Sequence, residues 1–282
     1  MPLILLHAVA AILYAALGVH FWRTRWRSPA PRAAGVARWE RAAILAPLAL
    51  HTWLLYQELL AAPGLRFGFG QALSVMLWLA VLIYWVESRY VNLEGMQALV
   101  LPVAAVCVAL PAIFPGFESP PYAARPGFRA HLLLAMLAYS LFTIAALHAL
   151  LMALLEGQLH GGRRDGGGAP LAGPLASLPP LLTLERLLFR ILAAGFVLLT
   201  ATLATGVLFS EELFGKALLF NHKTLFALLS WLIFGGLFAG RWRYGWRGRK
   251  ALRWTLAGFV ALLLAYVGSR FVLEVVLGRS LA

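Results

Sequence analysis

The chain has 282 residues, 62% of them hydrophobic and 12% charged, with a formal net charge of +13. A soluble domain is nearer half apolar and a quarter charged, so this composition excludes an ordinary soluble fold and predicts a polytopic membrane protein. The basic residues fall in short connections between apolar segments, where they set membrane topology; the partner they predict is the lipid bilayer, with no nucleic acid.

Eight apolar segments approach the roughly 20 residues that a helix needs to cross a bilayer. They run over 2–22, 42–62, 69–86, 96–114, 130–155, 187–209, 222–240 and 254–277. No ten-residue alternating pattern recurs, so strand spans are not expected. The predicted fold is all-α: a polytopic membrane helical bundle of about eight transmembrane helices, forming one membrane domain over 1–282.

The first segment has no Lys or Arg before it and a cluster after it: Arg23, Arg25, Arg27, Arg32, Arg38 and Arg41. A cleavable signal peptide carries its charge first, so this segment reads as a retained anchor with its N-terminus outside. Alternation then places loops 23–41, 87–95, 156–186 and 241–253 in the cytoplasm and both termini outside. The last of these loops is the most basic, with Arg241, Arg243, Arg247, Arg249, Lys250 and Arg253, and is expected to anchor topology and meet anionic lipid.

Within the spans, Pro47, Pro102 and Pro111 interrupt the second and fourth, where prolines often kink membrane helices. Cys107 is the lone cysteine, so the chain carries neither a C-x-x-C thiol pair nor a C-x-x-C-H haem-attachment motif. Residues 157–180 read GQLHGGRRDGGGAPLAGPLASLPP, a Gly, Pro and Ala-rich flexible linker between five front helices and three rear ones. In the sixth segment Thr202 and Gly206 form a small-xxx-small pair suited to close helix packing. No nucleophile–base pair falls on one face, so a hydrolase is not expected.

Ionisable side chains inside a membrane are costly and are functional candidates by default. Of the seven histidines, His160 lies in the linker and His20 beside the cytoplasmic arginines. His7 and His148 admit a structural role. His51 lies halfway along the second span and needs a polar partner or a ligand. His131 and His222 open the fifth and seventh spans, so topology places them at similar depth at the outer surface. Two imidazoles make a poor zinc site, which wants three or four protein ligands. They suit a haem, whose porphyrin fills the equatorial plane, and Arg129 and Lys223 beside them are natural partners for its propionates. The alternative is that both are interface residues.

Four passages carry a family resemblance: GFRAHLLLAMLAYSLF, SLPPLLTLERLLFRILAAGFVLLTATLATGVLF, FNHKTLFALLSWLIFGGLFAGRWRYGWRGRKALRW and LLAYVGSRF. They cover most of residues 127–271 and resemble the cytochrome c assembly family, membrane haem handlers of the CcsA and CcmC type, nearest its HemX and YpjD branch. The resemblance implies a helical domain of the bacterial inner membrane that handles haem at its outer face with cytochrome maturation proteins as partners. It places His131 at a family outer His that precedes a helix with a Tyr, here Tyr139. Asn221, His222 and Lys223 stand where other members have Asp-Pro-Lys after a Trp-rich loop. Two departures are plain: SEELFGKALLFN contains no Trp, and the family's late outer His gives way to GSRF at Gly268–Phe271. A transporter with a path near His51, or a non-catalytic membrane scaffold, are the readings from other classes.

The charge asymmetry makes a direct prediction. Reporter fusions after Gly167 and after Ala282 are expected to show a cytoplasmic first site and an external second one. Phosphatase activity at the first, or none at the second, reverses the orientation.

Overall fold

The computed structural model describes residues 2–27, 36–61, 66–91, 95–117, 121–161, 181–214 and 221–278. Most of the linker over 157–180 lies outside them, as do residues 215–220 of the loop before Asn221. Among the described residues there is no strand. Helix α1 (Pro2–Phe21) runs on through a π-helical turn to Trp26, and α2 (Arg38–Leu59), α3 (Phe69–Glu87) and α4 (Gln97–Ile113) follow. The rear part holds α5 (Pro126–Gly161), α6 (Leu181–Phe214), α7 (His222–Tyr244) and α8 (Gly248–Leu263), the last continuing through π-helical turns to Val276. Six of these rods are long and apolar enough to cross a membrane, and the protein is a polytopic helical bundle. α4 is apolar but shorter, and α2 is the remaining rod.

The helices close into two rings of four. In the front ring α1 packs on α2 and α4, and α3 on α2 and α4; in the rear ring α5 packs on α6 and α8, and α7 on α6 and α8. The rings meet where α3 lies against α5. A short-looped chain favours this arrangement, because neighbours in sequence pack antiparallel.

One face of the bundle gathers the first turns of α1, α3, α5 and α7 with the last turns of α2, α6 and α8. His7 on α1 meets Glu58 on α2, Phe69 on α3 meets Glu274 beyond α8, and His131 on α5 meets Thr205 on α6. This is called the N-terminal face below. The opposite, arginine-rich face is tied by buried polar contacts. Glu40 takes Arg25 at 2.6 Å and His20 at 3.0 Å, and Glu185 takes Arg241 at 2.7 Å.

The stretch 241–253, expected as a loop, is mostly helix. Gly245 ends α7 with φ 64°, a left-handed cap that glycine adopts without strain, and α8 begins at Gly248. The Trp246 ring folds back over Gly240 in this turn. Several of its basic residues have protein partners: Arg241 on Glu185, Arg249 on Glu156 at 3.4 Å, and Lys250 over the Trp246 ring.

The rear ring is centred on Phe142 of α5 stacked on Phe234 of α7, with ring centroids 4.0 Å apart. Gly258 of α8 makes this possible. A Cβ there would come within 2.7 Å of the Phe234 ring. Small residues at such crossings let helices approach where lipid supplies no hydrophobic drive. Gly258→Val is therefore expected to destabilise the protein by about 1–3 kcal/mol by overpacking. Thermal unfolding in detergent checks it. The same change at the preceding, exposed position of α8, Ala257→Val, is the control and is expected to alter stability little.

Candidate functional site

In lipid a helix satisfies its own backbone, but a polar side chain must find a partner of its own, a carbonyl one turn back or a group on another helix. Two groups of such partners stand out, one in each ring.

The rear group begins with His131, in the second turn of α5 and half-buried. Its Nδ1 lies 2.9 Å from Thr205 Oγ1 on α6. That hydroxyl donates its own hydrogen back along α6, to the Ala201 carbonyl at 2.8 Å or the Thr202 carbonyl at 3.1 Å. Its lone pair is then left to accept from His131, so Nδ1 carries the ring hydrogen and Nε2 presents a bare lone pair. Gly206 gives the ring room: a Cβ there would sit 3.4 Å from His131 Cε1. Phe128 and Phe209 flank the imidazole, with centroids 6.4 and 6.2 Å away. The Thr202–Gly206 stripe thus serves helix packing and, through Thr205 within it, the orientation of a histidine.

His222 is exposed as the first residue of α7, where Asn221 caps the helix by accepting from the Thr224 N–H at 3.0 Å. No contact joins His222 to His131; they stand on different helices at the same face. Arg129 is exposed near the start of α5. Lys223 is half-buried and turned toward α8, within electrostatic reach of Arg270 and Glu274. Arg270 lies 3.5 Å from Glu274, whose other oxygen accepts from the Phe69 N–H at the start of α3 at 3.2 Å. Here the late GSRF sequence takes on meaning. Its arginine joins Lys223 and Glu274 in a group that sequence reading did not assemble, because Glu274 reaches it only through the π-helical turns of α8.

The front group is a seam between α1 and α2. His7 faces Glu58 at 2.9 Å, Tyr14 faces His51 at 3.4 Å, and Arg25 faces Glu40 at 2.6 Å. Steps of seven and eleven residues down α1 match the same steps up α2. Both steps return a side chain to nearly the same helical face, so one stripe on each helix carries every rung. His51, fully buried, also meets Ser74 of α3 through Nε2 at 2.8 Å. His51 therefore belongs to the front ring and its polar needs are met by protein. His148 is likewise buried, with Nδ1 donating to the Ile144 carbonyl at 3.0 Å. Among the described residues no three His, Cys, Asp or Glu side chains cluster as a metal site.

A multi-helix membrane protein with an oriented histidine and a basic group at one face is the class these observations define. Residues 42–277 match the profile of the family described as Cytochrome C assembly protein, and the chain belongs to that family. Over 182 residues it is 33% identical to the inner membrane protein YpjD of Escherichia coli strain K12, a match covering 63% of this chain and 65% of that protein. It thus spans slightly under two thirds of that relative's length. A 28.8 kDa protein of Azospirillum brasilense is 38% identical over 151 residues, 52% of each chain. The cytochrome c biogenesis protein CcsA of Prochlorococcus marinus is 33% identical over 85 residues, 30% of this chain and 27% of that one. The protein is a multi-pass protein of the bacterial inner membrane.

Thr205→Val removes the acceptor while keeping the shape of the side chain. The His131 ring is expected to lose its fixed Nδ1–H tautomer, which histidine 15N chemical shifts report directly. Unchanged shifts would show that Thr205 does not set the ring.

Proposed function

We propose that the protein handles haem at its N-terminal face, outside the cytoplasm, as a cytochrome c assembly protein with cytochrome maturation proteins as partners. The observation that carries this reading is the His131–Thr205 bond. A histidine that ligates a metal generally donates its other ring N–H to a neighbouring acceptor, which fixes the tautomer and orients the ring. His131 has this arrangement, with no hydrogen bond to Nε2 among the described residues, the Thr202 carbonyl as a further backbone partner of the ring, and the side chain half-buried. The donor set fits the group: a prepared neutral imidazole, aromatic rings beside it, and cations at the same face for carboxylate groups.

On this reading His131, through Nε2, and the exposed His222 would hold the iron, and Lys223 and Arg129 would meet the haem's carboxylates. His51, enclosed by Tyr14 and Ser74, holds the front ring together and is not a ligand. The bound haem supplies an iron centre able to change oxidation state; the chain's part is to bind, orient and shield it. Both termini lie outside, and residues 1–282 act as one membrane unit.

The test is the absorption spectrum of purified, haem-supplied protein. Wild type is expected to show a low-spin Soret spectrum. Replacing His131 or His222 alone is expected to leave five-coordinate or weakly held haem, and replacing both to abolish binding. Thr205→Val is expected to weaken affinity by about 10- to 100-fold, the usual effect of losing a ligand's supporting hydrogen bond. Arg129 and Lys223 substitutions are expected to lower affinity without altering spin state. A wild-type low-spin spectrum in the double variant His131→Ala, His222→Ala overturns the assignment.

A further inference from the structure

The front ring holds a second arrangement that the haem reading does not use. His7 is almost fully buried at 3% exposure, and its Nδ1 lies 2.6 Å from the Val108 carbonyl oxygen of α4. A carbonyl only accepts, so Nδ1 carries a hydrogen. Nε2 lies 2.9 Å from Glu58 Oε1. A neutral His7 presents a lone pair there, and an ionised Glu58 presents another. Two lone pairs do not approach to this distance inside a protein, so a hydrogen lies between them. The pair therefore holds one dissociable proton, as imidazolium with carboxylate or as imidazole with carboxylic acid, and it is neutral in both forms.

The surroundings offer no other compensation. No Lys or Arg pairs with Glu58 among the described residues, and Glu58 Oε2 is buried without a hydrogen-bond partner. The Val108 carbonyl of α4 meets the pair directly, and the His51 imidazole of α2 lies within electrostatic reach of His7. Neither is a permanent charge. Loss of the proton would leave an uncompensated carboxylate facing a lone pair in a largely buried setting, an unfavourable state. The carboxylate is the more open partner, at 16% exposure, and it lies at the N-terminal face.

We propose that His7 and Glu58 form a proton-binding site of the front ring, which exchanges a single proton with the aqueous phase at the N-terminal face. The loaded site ties α1 to α2 and α4; the empty site lets α1 loosen. The next rung, Tyr14–His51–Ser74, lies two helical turns deeper, about 10 Å along the axis, and is satisfied by neutral partners. It is a structural rung, not part of the site.

With the proton bound the pair is bridged and neutral, and without it a carboxylate faces a lone pair, so the contact is expected to hold at low pH and to be lost as pH rises. The test uses the full-length protein in detergent, followed by thermal unfolding and infrared difference spectra across pH. Wild type is expected to lose stability with rising pH together with a carboxyl or imidazolium band. Glu58→Gln keeps a hydrogen bond to Nε2 through its amide but has no exchangeable proton, and it is expected to show neither change. Identical pH responses in wild type and Glu58→Gln overturn the proposal. The 15N shifts of His7 in the wild type need no variant: they are expected to move at the same pH, and shifts that stay constant while the fold persists overturn it as well.

Discussion

A histidine or charged side chain on a buried helix face is costly unless a partner answers it, and where that partner stands on another helix it fixes how the two helices lie. The seam between α1 and α2 shows it most clearly. His7 with Glu58, Tyr14 with His51 and Arg25 with Glu40 admit one antiparallel register. Sliding α2 by a single residue turns its polar stripe away from that of α1 and leaves several buried groups without partners. Apolar contacts alone would not be so selective, because lipid tails are as apolar as leucine. The rungs choose the register, and small residues such as Gly258 and Gly206 let the helices close to the distance at which rungs and ring stacks form.

The same logic sets the site. Thr205 would ordinarily bond only within its own helix, and its hydroxyl does so at Ala201. Its remaining lone pair is what fixes His131. One helix thereby controls the tautomer of a histidine on another, and the bare Nε2 follows from a hydrogen-bond inventory rather than from any bound group. The basic pair Lys223 and Arg270 stands at the same face, partly balanced by Glu274. That carboxylate also caps α3 through Phe69, so the rear ring's cations are tied to the start of a front helix. The two rings are thus coupled at the face where the ligand reading places its chemistry.

Much of this was legible in the sequence. Hydropathy located the helices to within about six residues at their ends, since a bilayer imposes both length and composition. The position of His131 in a polar-to-apolar transition marked it as a surface histidine. What could not be read was partnership across helices. Glu58 drew no attention because it sits at the end of an apolar segment, yet its seven-residue spacing from His51 repeats that of His7 from Tyr14, a signal recognisable once α1 and α2 are known to pair. The stretch around Thr202 and Gly206 looked like a packing stripe, and only the helix rotation shows that Thr205 within it faces a histidine. Stretch 241–253 looked like a loop because its charges hid the continuation of α7 and α8; a three-residue turn at 245–247 suffices.

The central claim is that His131 presents Nε2 to an iron. Pulsed hyperfine spectroscopy of the ferric haem complex, with histidine alone labelled by 15N, tests it without depending on spectral band shape. The account predicts a strong 15N coupling to the iron in the wild type that is reduced in His131→Ala. Haem bound with no histidine 15N coupling, or with a coupling unchanged in that variant, would contradict it.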